Sequence, residues 1–205
     1  MSGLLETHSR SPPLNIPQSQ WSMIMVHVPL SWKRIEWQPH DTWKRHTLPK
    51  LLQIELQPEH LIRSVYVIRL NGDYCIEYPK GHSPVLYVGE GNFSQRINSH
   101  RRWVSELREL VGEFSFQVRI AVPRVRNNTR AYLDCEAVLL QRFGNLFGSA
   151  PLWNKQFEKR RNDYSYNQSQ VDQAICKGRG AKYKWAIKPM RASPFYADFV
   201  RTHKS

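Results

Sequence analysis

Six polar side chains stand in an order whose types suit phosphodiester hydrolysis. They are Tyr66, Tyr87 in Tyr87-Val88-Gly89, Arg96 and His100 in Arg-x-x-x-His, Glu136, and Asn154 in Pro-Leu-Trp-Asn. A phenol can hold or activate a water, a guanidinium can stabilise phosphoryl charge, and a carboxylate can hold a metal ion. An imidazole titrates near neutrality and can orient the water or take its proton.

Glu136 is notable on physical grounds alone. It lies three residues after Leu133 and four before Leu140, so on a helix it points along the apolar stripe Leu133, Ala137, Leu140, Phe143. A carboxylate so placed is costly unless it is ion-paired, for instance to Arg96, or bound to a cation. One carboxylate with water ligands suits Mg²⁺, with Mn²⁺ as a substitute. Arg96 and His100 are four apart and share one helix face, either a solvated face or a functional pair. Tyr66 and Tyr87 fall inside two strand-like runs, as core tyrosines or as site phenols. A phenol acting as a base needs positive charge nearby, from Arg96, a metal or Lys80. Gly89 lets the backbone after Tyr87 approach closely, and Asn154 can lock the site through its amide.

The elements that must position these groups follow from pattern. Ser64–Leu70 is β-branched and aromatic, a strand, and Asn71-Gly72 after it reads as a hairpin turn with Asp73–Tyr78 returning. Residues 79–84 read as loop and Val85–Gly89 as the next strand. A helix capped by Asn92 or Ser94 follows, and then a strictly alternating strand from Phe114 to Val122. A second helix is expected over 129–143, ended by Gly144. Ser22–Leu30 reads as a strand, and Leu48–Leu56 as a short helix or strand. The fold class expected is mixed α/β (α+β) with N- and C-terminal extensions. The divisions are a flexible arm over 1–20, a Trp-bearing extension packing on the core over 21–60, a catalytic core over 61–157 and a basic extension over 158–205.

The totals favour a polyanionic partner. The 205 residues carry a net charge of +13, and such an excess points first to nucleic acid and second to an anionic membrane. No apolar run has the length of a membrane span, and the first twenty residues lack the apolar region of a secretory signal. Cys75, Cys135 and Cys176 form no CxxC pair, so free thiols and a cytoplasmic location are expected. The Asn127-Asn128-Thr129 sequon is read as a chance match.

Taken in order, Ser64-Val65-Tyr66, Tyr87-Val88-Gly89, Arg96-x-x-x-His100, Glu136 and Asn154 resemble the GIY-YIG nucleases over residues 64–157, restriction and phage endonucleases above all. Two departures stand out. Serine replaces the first motif's glycine, and the stretch from Tyr66 to Tyr87 is long, with Tyr74 and Tyr78 as competing tyrosines. The resemblance implies a three-stranded antiparallel sheet flanked by helices and a Mg²⁺-dependent endonuclease acting on double-stranded DNA. It implies Glu136 as the metal ligand, Arg96 as transition-state stabiliser, Tyr66 or His100 as the base, Tyr87 as water positioner, and 5′-phosphate products. A duplex needs two cuts, which admits a homodimer. The different-class alternative is a non-catalytic DNA-binding or inhibitory protein on a degenerate nuclease core.

Residues 155–205 hold 12 Lys and Arg against 4 Asp and Glu, a net +8. The Gly-, Lys- and Tyr-bearing run with Lys177, Arg179, Lys182 and Lys184 suits a loop tracking a phosphate backbone. Arg124, Arg126 and Arg130 form a second candidate patch. Lys80, Arg101 and Arg102 complete the expected DNA contacts.

Overall fold

The computed structural model describes residues 25–71, 74–111, 115–178, 185–187 and 197. The arm expected over 1–20 and the candidate contacts Arg179, Lys182 and Lys184 lie outside the described residues. The chain forms a mixed α/β structure with antiparallel sheet and helices.

The main sheet has four strands in the order β1-β6-β2-β5, all antiparallel: β1 Lys33–Trp37, β6 Phe116–Ala121, β2 Ser64–Leu70 and β5 Val85–Gly91. Three strands were expected. The fourth is β1, whose alternating residues Ile35 and Trp37 are buried, Trp37 edge-on to Phe116. Strand β2 is buried along its whole length because both of its edges are paired.

That pairing overturns the hairpin read at Asn71-Gly72. With β5 and β6 on its two edges, β2 has no edge left for a returning strand. Asn71 instead bonds Ser115 through its backbone and both Ser115 and Glu36 through its amide. The following strand, β3 (Tyr74–Tyr78), joins a second sheet between β4 (Gly81–Ser83) and β7 (Trp185–Ile187), parallel to β7. Part of the stretch read as loop is therefore β4. Residues 25–30 make one bridge, His27 to Ser165, in place of the strand expected there. Leu48–Gln53 is a helix, α1.

Helix α2, Phe93–Val111, begins as expected, with Asn92 Oδ1 accepting from the Ser94 hydroxyl and the Gln95 amide. Helix α3, Ala131–Phe147, runs a turn further than expected and ends at Gly148, whose φ of 80° is the left-handed conformation of a C-terminal cap. Gly144 does not stop the helix; the Phe157 ring lies against it, and a Cβ there would stand 2.7 Å from Phe157 Cε1.

The core unites segments from both ends of the chain. Leu30, Leu51 and Leu56 enter it from the N-terminal side, and Val171, Ala174 and Ile175 from helix α4, Gln168–Ile175. Trp32 and Trp43 pack on it. Two connections fasten the C-terminal side to α3. Arg142 pairs with Asp172 at 2.9 Å, and buried Asp134 accepts from the Arg161 amide at 2.5 Å, the Asn162 amide at 3.0 Å and the Asn162 side chain. Residues 158–178 thus pack as part of the same body as 61–157. Cys75, Cys135 and Cys176 form no disulfide. Among the described residues no helix is long and apolar enough to cross a membrane.

Candidate active site

The pairing of β2 with β5 sets Tyr66 directly across from Gly89 and Ile68 across from Tyr87. Tyr66, Tyr87 and Gly89 therefore share one face, and the rings of Tyr66 and Tyr87 lie 6.1 Å apart. Gly89 is required by this contact. A Cβ there would meet Tyr87 Cε1 at 2.5 Å and Tyr66 Cζ and Oη at 2.8 Å.

Helix α2 closes over that face. Phe93 packs edge-on against Tyr66, and one turn later Arg96 donates from Nη2 to Tyr87 Oη at 2.9 Å. Arg96 also pairs with Glu90, the residue after Gly89, at 3.4 Å. Another turn on, His100 is buried between the phenols, with Nε2 2.9 Å from Tyr66 Oη and its ring 4.5 Å from that of Tyr87. Burial first and the Arg96 charge second pull the His100 pKa down to about 4. Burial, Tyr87 and Glu136 hold the Tyr66 hydroxyl well above the ordinary phenol range, against the opposing pull of Arg96.

Helix α3 supplies Glu136. The stripe read from the sequence is real, but on the side of Glu136 it faces a cavity rather than the core: Leu133, Glu136 and Leu140 line an opening of about 530 Å³ together with Tyr87, Arg96 and Asn154. The ion pair with Arg96 that the sequence allowed is not formed, because Arg96 is engaged by Glu90 and Tyr87. Among the described residues Glu136 has no hydrogen bond or ion pair. Desolvation, with Glu90 and Glu158 adding to it and Arg96 and Arg161 opposing, pushes its pKa up to about 8.

Asn154 closes the remaining edge. Strand β5 is an edge strand, and the Asn154 amide satisfies Val88 as a neighbouring strand would, accepting from its N–H at 2.9 Å and donating to its carbonyl at 2.8 Å. The adjacent Trp153, 40% exposed, stacks on Trp103 with ring centres 4.9 Å apart.

All six residues singled out by type thus come together, in two layers. Tyr87, Arg96, Glu136 and Asn154 line the cavity. Tyr66, with no exposed surface, and His100 stand behind Tyr87. The competing tyrosine Tyr78 is structural, its hydroxyl donating to the Val85 carbonyl and accepting from the Leu152 amide. Ser64, in place of the expected glycine, is buried and donates to the Leu61 and Gly91 carbonyls.

Sequence reasoning missed Glu90, Trp103, Glu158 and Arg161, which complete the site. Glu90 directly follows the Tyr-Val-Gly run, and Trp103 lies three after His100 on one helix face, a spacing that signals contact. Glu158 and Arg161 carry no local signal.

The expected cation contacts scatter. Lys80 packs its stem near Gly148, which caps the C-terminal end of α3. Arg101 bonds the Asp41 carbonyl, and Arg102 pairs with Glu106 on its own helix. Arg124, Arg126, Arg130 and Lys177 are exposed, and Arg124 lines a second cavity with Arg63 and His60.

A divalent ion fits the donor set in one form. Among the described residues no group of three or more His, Cys, Asp or Glu side chains is placed to hold a metal. An unpaired carboxylate facing an open cavity, its charged form disfavoured by desolvation, is what a cation held by one carboxylate and water would satisfy. No family model matches the chain, and searches of curated proteins and of solved structures find no significant match.

Proposed function

We propose that this chain is a Mg²⁺-dependent endonuclease that hydrolyses phosphodiester bonds of double-stranded DNA, site-selective and of the GIY-YIG type, in the service of restriction or of a phage. The observation carrying the reading is the convergence of an unpaired carboxylate, Glu136, with a guanidinium bonded to a phenol, Arg96 on Tyr87, at one open cavity. A mixed α/β structure with an antiparallel sheet and helices is compatible with the reading.

In this mechanism Arg96 does two things. Its guanidinium faces the cavity where a phosphate would sit and offsets charge developing on the phosphoryl oxygens. Its bond to Tyr87 Oη opposes burial, which is the larger influence and holds the Tyr87 hydroxyl above the ordinary phenol range, so Tyr87 acts as a neutral phenol that orients the attacking water. Tyr66 and His100 brace Tyr87 from behind, and Asn154 fixes the strand that carries it. Glu136 would hold Mg²⁺, which supplies Lewis-acid stabilisation of the phosphate and the leaving oxygen when bound. Tyr87 lines the cavity, and the two candidate bases, Tyr66 and His100, stand behind it. The exposed arginines of 124–130 and the basic C-terminal segment supply backbone affinity.

The test is incubation of supercoiled plasmid and phage genomic DNA with Mg²⁺ and with EDTA, beside Glu136→Ala, Arg96→Ala and Tyr87→Phe. Discrete Mg²⁺-dependent fragments with 5′-phosphate ends, lost in the first two variants and strongly reduced in the third, are expected. DNA binding without cutting in any condition would favour the non-catalytic reading, to which the serine at the first motif position lends support.

A further inference from the structure

We propose that Trp103 is a positioning residue: its indole N–H fixes His100 as the Nε2–H tautomer, making His100 a hydrogen-bond donor to Tyr66 rather than a proton acceptor. The inference rests on the nuclease reading only for its catalytic consequence.

Counting ring protons fixes the tautomer. Trp103 Nε1 stands 3.1 Å from His100 Nδ1. An indole nitrogen can only donate, so Nδ1 must be the bare nitrogen. A neutral imidazole carries one ring proton, and it is therefore on Nε2, the atom 2.9 Å from Tyr66 Oη. The imidazolium form is excluded by the same contact, since two N–H groups would then face each other across 3.1 Å. The charged neighbourhood agrees: the groups packed on the ring are Tyr66 from β2, Tyr87 from β5 and Trp103 from its own helix, with the Arg96 cation nearby.

Both imidazole nitrogens are then committed. Nδ1 has its lone pair in the bond from Trp103, and Nε2 has its proton in the bond to Tyr66, so His100 has no site left to receive a proton from water. What it can do is donate to Tyr66 Oη, which orients that hydroxyl and stabilises negative charge beside Tyr87. Trp103 is held in place by the stack on Trp153, whose amide bonds the Leu86 carbonyl and whose neighbour Asn154 bonds Val88. The edge of the sheet, the tryptophan pair, the imidazole and the buried phenol form one chain of contacts.

The experiment uses full-length ¹⁵N-labelled protein near neutral pH. Long-range ¹H–¹⁵N correlation spectra distinguish an imidazole protonated at Nε2 from one protonated at Nδ1 or at both. The expected pattern for His100 in the parent protein is neutral and Nε2–H, and Trp103→Phe is expected to give a measurable Nδ1–H population. In the plasmid assay Trp103→Phe is expected to lower the Mg²⁺-dependent cutting rate about tenfold or more, the order that a wrong imidazole tautomer or loose positioning costs, with DNA affinity unchanged. A parent His100 that is Nδ1–H or doubly protonated would overturn the proposal, as would a variant whose tautomer stays wholly Nε2–H. If Trp103→Phe does not fold, the parent spectrum decides, together with a scalar coupling across the Trp103 N–H to His100 Nδ1 bond. These spectra need no DNA, so a protein with the expected tautomer that cuts nothing would refute the nuclease reading and leave this one standing.

Discussion

Replacing Glu136 by Gln is expected to stabilise the fold while removing its response to Mg²⁺. The carboxyl pKa lies at about 8 in the folded chain against an ordinary 4.5. A folded pKa above the unfolded one means that the folded state binds the proton more tightly, so stability falls as pH rises from about 4.5 to about 8 and stays reduced above that. At roughly 1.4 kcal/mol for each pH unit between the two pKa values, the upper bound on the cost is about 5 kcal/mol. Glu136 borders an open cavity, and water there screens part of this, leaving about 2 kcal/mol. For a domain of this size that is about 4–8 °C in Tm. Thermal melts at pH 5 and pH 8.5 should therefore show Glu136→Gln close to the parent protein at the lower pH and several degrees above it at the higher. Mg²⁺ in large excess should raise the melting temperature of the parent by a comparable amount, as binding to the folded state alone requires, and leave the variant unmoved. A variant no more stable than the parent at pH 8.5 would mean that the carboxylate is already compensated. An equal Mg²⁺ response in both would place the ion elsewhere.

Three further substitutions probe the frame around the site. Gly89→Ala drives a Cβ into both phenol rings and is expected to cost about 2 kcal/mol in urea unfolding, an overpacking penalty, with a larger proportional loss of cutting because Tyr87 must move. Asn154→Ala breaks both side-chain bonds to Val88. It should destabilise by about 1–3 kcal/mol and increase amide hydrogen exchange at Val88 more than at Val67 in the sheet interior. Asp134→Ala leaves the Arg161 and Asn162 amides without their acceptor. It should cost about 3 kcal/mol or more and make residues 155–165 the first site of limited proteolysis.

What could be read from the sequence was what neighbouring residues decide together. Strand β2 announced itself because seven residues buried on both faces leave a continuous β-branched and aromatic run, and the capping of α2 was visible because Asn92 sits beside the turn it caps. The hairpin at Asn71-Gly72 failed because the edges of β2 were claimed by β5 and β6, a competition that no local turn signal contains. Gly144 was taken as a helix stop because the ring filling its missing side chain, Phe157, lies thirteen residues on in a segment without pattern. The site divides in the same way. Tyr66, Tyr87, Arg96, His100, Glu136 and Asn154 were found by type and order. Which of them face the cavity could not be, since that depends on how α2 lies across the sheet, and Tyr66 proves to be the inner phenol.

Affinity and geometry are not separable at the C-terminal side. Lys155, Gln156, Glu158 and Arg161 wall the cavity, and the same segment is pinned by buried Asp134 before leading into α4, whose Val171, Ala174 and Ile175 belong to the core. A chain cut at Asn154 would lose the wall of the site and part of the core at once, so its failure to bind DNA would say nothing about charge. Single substitutions do not share that fault. Lys155 and Arg161 are exposed and, among the described residues, belong to no buried ion pair, so replacing each by Gln removes a cation and leaves the packing alone. If this wall contacts the backbone of DNA, each substitution should weaken binding at every sequence alike and reduce the steepness of the salt dependence by about one ion. An unchanged salt dependence in both would move the affinity to the arginines of the 124–130 segment that leads into α3.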